Sequence, residues 1–166
     1  MTVSPRKQMG AHIQNLLNKS SNVETVGQIY IIYERLDPFK WLPGKDHSKT
    51  HPTFKHWMLV IHLGDEKIKL HFGEYGKEVG VGMVMVSPYD PNVDPTKRYF
   101  LANISISTET LYSHIQDMFN ECTKYSLTHN NCQHFVQKVV AHFERFLFNQ
   151  DPHIHKREDM ARSRAF

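Results

Sequence analysis

The chain has 166 residues, of which 40% are hydrophobic and 22% charged, and its formal net charge is +3. This size and composition are typical of one globular domain with a core of its own, and they exclude extensive disorder. The charge is too small to favour nucleic acid as the main partner. No run approaches the roughly 18 apolar residues that a membrane-spanning helix needs, so we expect no transmembrane anchor.

The chain contains two cysteines, Cys122 and Cys132. The first residues, Met-Thr-Val-Ser-Pro-Arg-Lys, lack the apolar stretch of a signal peptide. We therefore expect a cytoplasmic protein in which both thiols are free. The two residues are not spaced as a Cys-x-x-Cys redox or zinc motif.

The first two-thirds of the chain predicts a sheet. Apolar residues at helical spacing indicate a short helix over 8–18, and the proline-rich segment 36–53 is interpreted as a long loop. Alternation and β-branched residues predict strands at 23–34, 54–63, 67–72, 81–86 and 98–104. Between the last two strands, Pro88, Pro91 and Pro95 argue against regular structure.

The last third of the chain is helical in pattern. One helix begins at Ser107 or Thr108, and a second runs from about Asn131 to Leu147. The fold class is therefore α+β, an antiparallel sheet packed against helices. We interpret residues 1–25 as an N-terminal extension, 26–148 as the domain and 149–166 as a polar, basic tail.

Cys132 is the candidate nucleophile. Asn130 and Asn131 are good N-cap residues, which places Cys132 in the first turn of the last helix. The partial positive charge and free N–H groups of a helix N-terminus favour a thiolate, and the N–H groups at Asn131 and Cys132 could receive an oxyanion. The alternative interpretation is a small buried side chain that begins a helix.

Two histidines on a predicted hairpin are candidates to activate this thiol. If Gly64-Asp65 forms a two-residue loop, residue 58 pairs with His71, and His56 and His71 are diagonal neighbours on one face. A loop of three residues would move His71 to the other face. This geometry permits a set in which His56 is the base and His71 orients its ring.

The segment Asn131-Cys132-Gln133-His134-Phe135-Val136 resembles the cysteine box of the lecithin:retinol acyltransferase (LRAT) family, whose third residue is Glu. The hairpin from His56-Trp57 to Leu70-His71 is similar to the histidine hairpin of that family. The histidines precede the cysteine, as in circularly permuted papain-like enzymes of the NlpC superfamily. The resemblance covers roughly residues 26–147, and the polar basic end differs from the hydrophobic anchor of vertebrate members.

The resemblance implies that Cys132 attacks a lipid ester, with His56 as general base and His71 as the third member. It implies a thioester on Cys132, acyl transfer to water, an amine or an alcohol, and a lipid acyl donor at a membrane surface, without a cofactor. Two alternatives remain. Phe72-Gly73-Glu74-Tyr75-Gly76 resembles a glycine-rich stretch of the PPPDE peptidases, cysteine isopeptidases that remove ubiquitin-like modifiers. The domain could also bind partners without catalysis.

Overall fold

The computed structural model describes residues 4–35, 55–74, 80–93, 98–126 and 132–151. They form an α+β fold with one antiparallel sheet, and helices cover one face of that sheet. In chain order the elements are α1 (Pro5–Asn18), β1 (Thr25–Arg35), β2 (Lys55–Leu63), β3 (Glu66–Glu74), β4 (Gly82–Pro88), β5 (Arg98–Ile106), α2 (Thr108–Glu121), α3 (Cys132–Phe143), a 3-10 turn (Glu144–Phe146) and β6 (Leu147–Phe148). The described strands are ordered β4-β3-β2-β1-β5-β6.

The β2–β3 hairpin has the register expected from a two-residue loop. Leu63 pairs with Glu66 across the loop, and Met58 pairs with His71. Gly64, the first loop residue, has a φ of +62°, a conformation that glycine adopts without the steric cost of a Cβ. The turn therefore fixes which residues of the two strands share a face.

The two faces of the sheet bury different clusters. On one face Leu59, Ile61 and Leu70 pack with α1, α2 and α3 in the main core. On the other face Ile32, Met58, Val60 and Tyr89 form a smaller buried cluster. Side chains alternate between the two faces of the sheet along a strand. Whether a residue of β2 or β3 packs against the helices therefore depends on whether its number is odd or even.

Local capping explains where two helices begin. Ser4 Oγ accepts a hydrogen bond from Lys7 N and Pro5 is the first helical residue, so α1 starts earlier than its apolar spacing indicates. Ser107 Oγ accepts from Thr110 N at 3.1 Å, which confirms the predicted start of α2. Ile13 of α1 is 1% exposed in the main core, so α1 packs with the rest of the domain.

Two sequence-based expectations were wrong in detail. The last helix was expected to reach Leu147, but α3 ends at Phe143 and Leu147–Phe148 form β6 beside β5. Pro88 was expected outside regular structure, but it ends β4. β4 is an edge strand of the described sheet, where a missing N–H costs no inner ladder bond. The predicted loop 36–53 and most of the tail 149–166 lie outside the described residues.

No helix in the described part of the chain combines the length and apolar character needed to cross a membrane.

Candidate functional site

Cys132 is the first residue of α3, and its side chain is 3% exposed. Its sulfur accepts a hydrogen bond from the backbone N–H of Trp57, with 3.4 Å between Trp57 N and Cys132 Sγ. This nitrogen belongs to the peptide bond that joins His56 to Trp57. The sulfur therefore lies beside the backbone of the residue that the sequence nominates as its base.

The hairpin register explains why this N–H is available to a sulfur. In a two-residue hairpin the residues that flank the loop exchange backbone hydrogen bonds, and every second residue repeats the pattern. Trp57 belongs to the same alternate series of β2 residues as Leu63, so its N–H points towards β3. The β2–β3 pairing ends at Met58 and His71, so Cys132 Sγ is the acceptor one step beyond the end of the ladder.

Burial raises the pKa of the Cys132 thiol, and this effect exceeds the opposing hydrogen bonds. The N–H groups of Trp57, Cys132 and Gln133 donate towards the sulfur and lower the pKa, because they stabilise the thiolate more than the thiol. The resting site therefore holds a protonated thiol in a pocket of N–H donors. Such a thiol needs a base before it can act as a nucleophile.

An aromatic wall adjoins Cys132. The ring of Phe72 lies 5.6 Å from that of Tyr125 and 5.4 Å from that of Phe135, centroid to centroid. Burial, and then the nearby Cys132 and Glu74, raise the pKa of Tyr125 to about 12, so its phenol stays neutral. Sequence reasoning gave no role to Tyr125, and it missed the Trp57 N–H.

His71 belongs to the other face of the sheet. It directly opposes Met58, which packs in the cluster away from the helices, whereas Cys132 packs in the main core. Burial, and then the charge of Lys69, lower the pKa of His71 to about 4. A neutral imidazole can donate from one ring nitrogen and accept at the other, which an orienting role requires.

Two predicted site groups lie outside the described part. His56 belongs to β2 and its backbone pairs with Glu34 of β1, but its side chain is outside the described atoms, as is the whole of Asn131. The structure thus brings the His56 backbone to Cys132, and the roles of His56 and Asn131 stay predictions.

A cavity of about 150 Å³ opens on the same stretch of α3. Phe72, Phe135, Cys122 and Lys138 are among the residues that line it. In the described ranges, no group of three or more His, Cys, Asp and Glu side chains has the geometry to hold a metal ion.

Comparisons of the chain with protein-family models, with curated proteins and with solved structures find no match. The functional case therefore depends on the residues and on the geometry of the Cys132 site.

Proposed function

We propose that the protein is a cysteine acyl-transfer enzyme of the permuted papain-like, LRAT-like kind, and that it acts on the ester of a phospholipid or a related lipid. The observation that carries the proposal is the position of Cys132 Sγ, at the first residue of α3 and 3.4 Å from the nitrogen of the His56–Trp57 peptide. Acyl transfer needs a nucleophile, a base and N–H donors at the reacting atoms, and the described atoms supply the first and the third of these.

In the first half-reaction His56 accepts the Cys132 proton and the sulfur attacks the ester carbonyl carbon. The carbonyl oxygen becomes an oxyanion, which backbone N–H groups at the start of α3 stabilise. When the ester C–O bond breaks, the leaving alkoxide takes the proton from His56. The product is an acyl thioester on Cys132 and a lysolipid.

In the second half-reaction water, an alcohol or an amine attacks the thioester. His56 accepts the proton of the attacking group, the C–S bond breaks, and the sulfur regains a proton from His56. The raised pKa of Cys132 supports a mechanism in which proton removal accompanies attack, because a free thiolate would be poorly populated at neutral pH.

Intact-mass spectrometry after incubation with phosphatidylcholine liposomes tests the proposal. We expect wild type and Cys122→Ala to gain the mass of an acyl group and to release lysolipid. Cys132→Ala should show neither. Cys122 is the matched control, because it is the other free, buried cysteine of the chain.

Absence of the adduct and of lysolipid with wild type would contradict the lipid acyltransferase proposal. A ubiquitin-like suicide probe is then the next reagent, and its capture by Cys132 would favour an isopeptidase. Failure of both reagents would favour a binding domain without catalysis.

A further inference from the structure

The face of the sheet away from the helices carries three basic and three apolar side chains at its register positions. They are Lys67, Lys69 and Arg98, and Val26, Phe100 and Phe148. We call this set the basic–apolar face. Lys67 opposes His62, Phe100 opposes Tyr30, and Phe148 opposes Asn103, so the set spans the sheet from β3 to β6.

Positive charge accumulates on this face. The Arg98 guanidinium lies over the Tyr30 ring, 5.0 Å from its centroid, and Arg98 Nη1 is 3.4 Å from His62 Nε2. Burial, and then the charges of Arg98 and Lys67, lower the pKa of His62, because burial and neighbouring cations both disfavour its charged form. The two cationic side chains therefore act on the same imidazole.

Among the described side chains of this face, basic groups outnumber acidic ones. Where side chains of this face are described, the positions of β1 to β6 include no Asp or Glu. Glu24, just before β1, accepts a hydrogen bond from Ser105 Oγ at 2.7 Å. Lys67 and Arg98 give the described part of this face a positive charge, which suits an anionic surface.

Apolar groups on the same face are unusually exposed. Val26 is 60% exposed, Phe100 38% and Phe148 40%, and they account for three of the five large hydrophobic side chains that the described part exposes. Exposed apolar groups that cluster beside basic ones mark an interaction surface.

We propose that the basic–apolar face docks the protein on a phospholipid bilayer that contains anionic lipid. Lys and Arg side chains gain free energy at such a surface, and valine and phenylalanine side chains enter the interface between headgroups and acyl chains. Exposed valine favours lipid over a nucleic-acid strand, whose bases stack on aromatic rings. The choice of lipid also rests on the proposed function, since that enzyme must reach an acyl donor in a membrane.

Vesicle co-sedimentation tests the proposal, with Cys132→Ala as the parent protein so that turnover cannot change the lipid. Vesicles of phosphatidylcholine alone are compared with vesicles that contain phosphatidylglycerol, in low and high salt. We expect binding only to the anionic vesicles and weaker binding in high salt. Lys67→Gln and Arg98→Gln should each lower the affinity about fivefold, and Val26→Ser should also lower it.

Matched variants test whether vesicle binding depends on the basic–apolar face and on its charge. Lys7 is exposed on α1, on the side of the sheet that the helices cover, so Lys7→Gln should bind as the parent does. Arg98→Lys keeps the charge and should retain binding. Equal losses in Lys7→Gln and Lys67→Gln, no binding to anionic vesicles, or binding to oligouridine in place of vesicles would each overturn the proposal. Binding by a protein that forms no thioester would uphold docking and contradict only the proposed activity.

Discussion

The two cysteines differ in surroundings much more than in burial. Cys132 is 3% and Cys122 7% exposed, and burial raises the pKa of both thiols. Cys132 begins α3, where backbone N–H groups point at its sulfur, whereas Cys122 follows the last residue of α2, where the helix presents carbonyls. Only the first environment stabilises a thiolate and an oxyanion, so burial alone does not mark a reactive cysteine.

Substitution of the two cysteines tests this comparison directly and should give the largest effect. We expect Cys132→Ala to lower lipid ester turnover by roughly four orders of magnitude or more, because the nucleophile is removed. Cys122→Ala should remain near wild type. The measurement is lysolipid release under steady-state conditions.

Urea unfolding is the control for that experiment. Both variants should lie within about 1 kcal/mol of wild type in unfolding free energy, because each replaces one small buried side chain by another. Similar losses of turnover in the two variants would refute the distinction between the two cysteines.

Substitution of the two hairpin histidines, His56 and His71, tests the environment that is proposed to activate Cys132. We expect His56→Ala to lower turnover roughly a thousandfold, as loss of a general base does. His71→Ala should cost one to two orders of magnitude less, because His71 acts only through His56. Turnover should be measured over a range of pH, since loss of the base steepens the dependence on hydroxide. Equal losses would contradict the division of roles.

Acid should destabilise the folded domain through His71. Its pKa is about 4 when folded and ordinarily about 6.5, so the unfolded chain binds the proton more tightly. His71 therefore does not lower the free energy of unfolding above pH 6.5. As pH falls from 6.5 towards 4, protonation of His71 in the unfolded chain lowers that free energy by about 3 kcal/mol at most.

Urea unfolding of wild type and His71→Gln between pH 7 and pH 4 measures this smaller effect. The variant should lose less stability on acidification than wild type. A residual dependence is expected, because the pKa values of His62 and His114 are also lowered. An unchanged dependence in His71→Gln would mean that His71 is not buried neutral.

Local signals in the sequence were sufficient for the elements that position the site. The Gly64-Asp65 loop sets the register of β2 and β3, because a loop of two residues permits only one register between the strands that it joins. The structure confirms this register. Ser107 sets the start of α2 by capping. The position of Cys132 at the start of the last helix followed from the polar residues before it and is also confirmed.

The sequence by itself thus determined the α+β class, the hairpin register and the helix start that carries Cys132, because each depends on a few adjacent residues. Only the tertiary structure decided that β1 lies between β2 and β5, and that α3 stops at Phe143 so that Leu147 and Phe148 pair with β5. It also decided that Cys132 Sγ meets the N–H of Trp57. These features join segments as many as 81 residues apart, the separation of Thr25 in β1 from Ile106 in β5, and they arise from packing the helices on one face of the sheet, which no local pattern encodes.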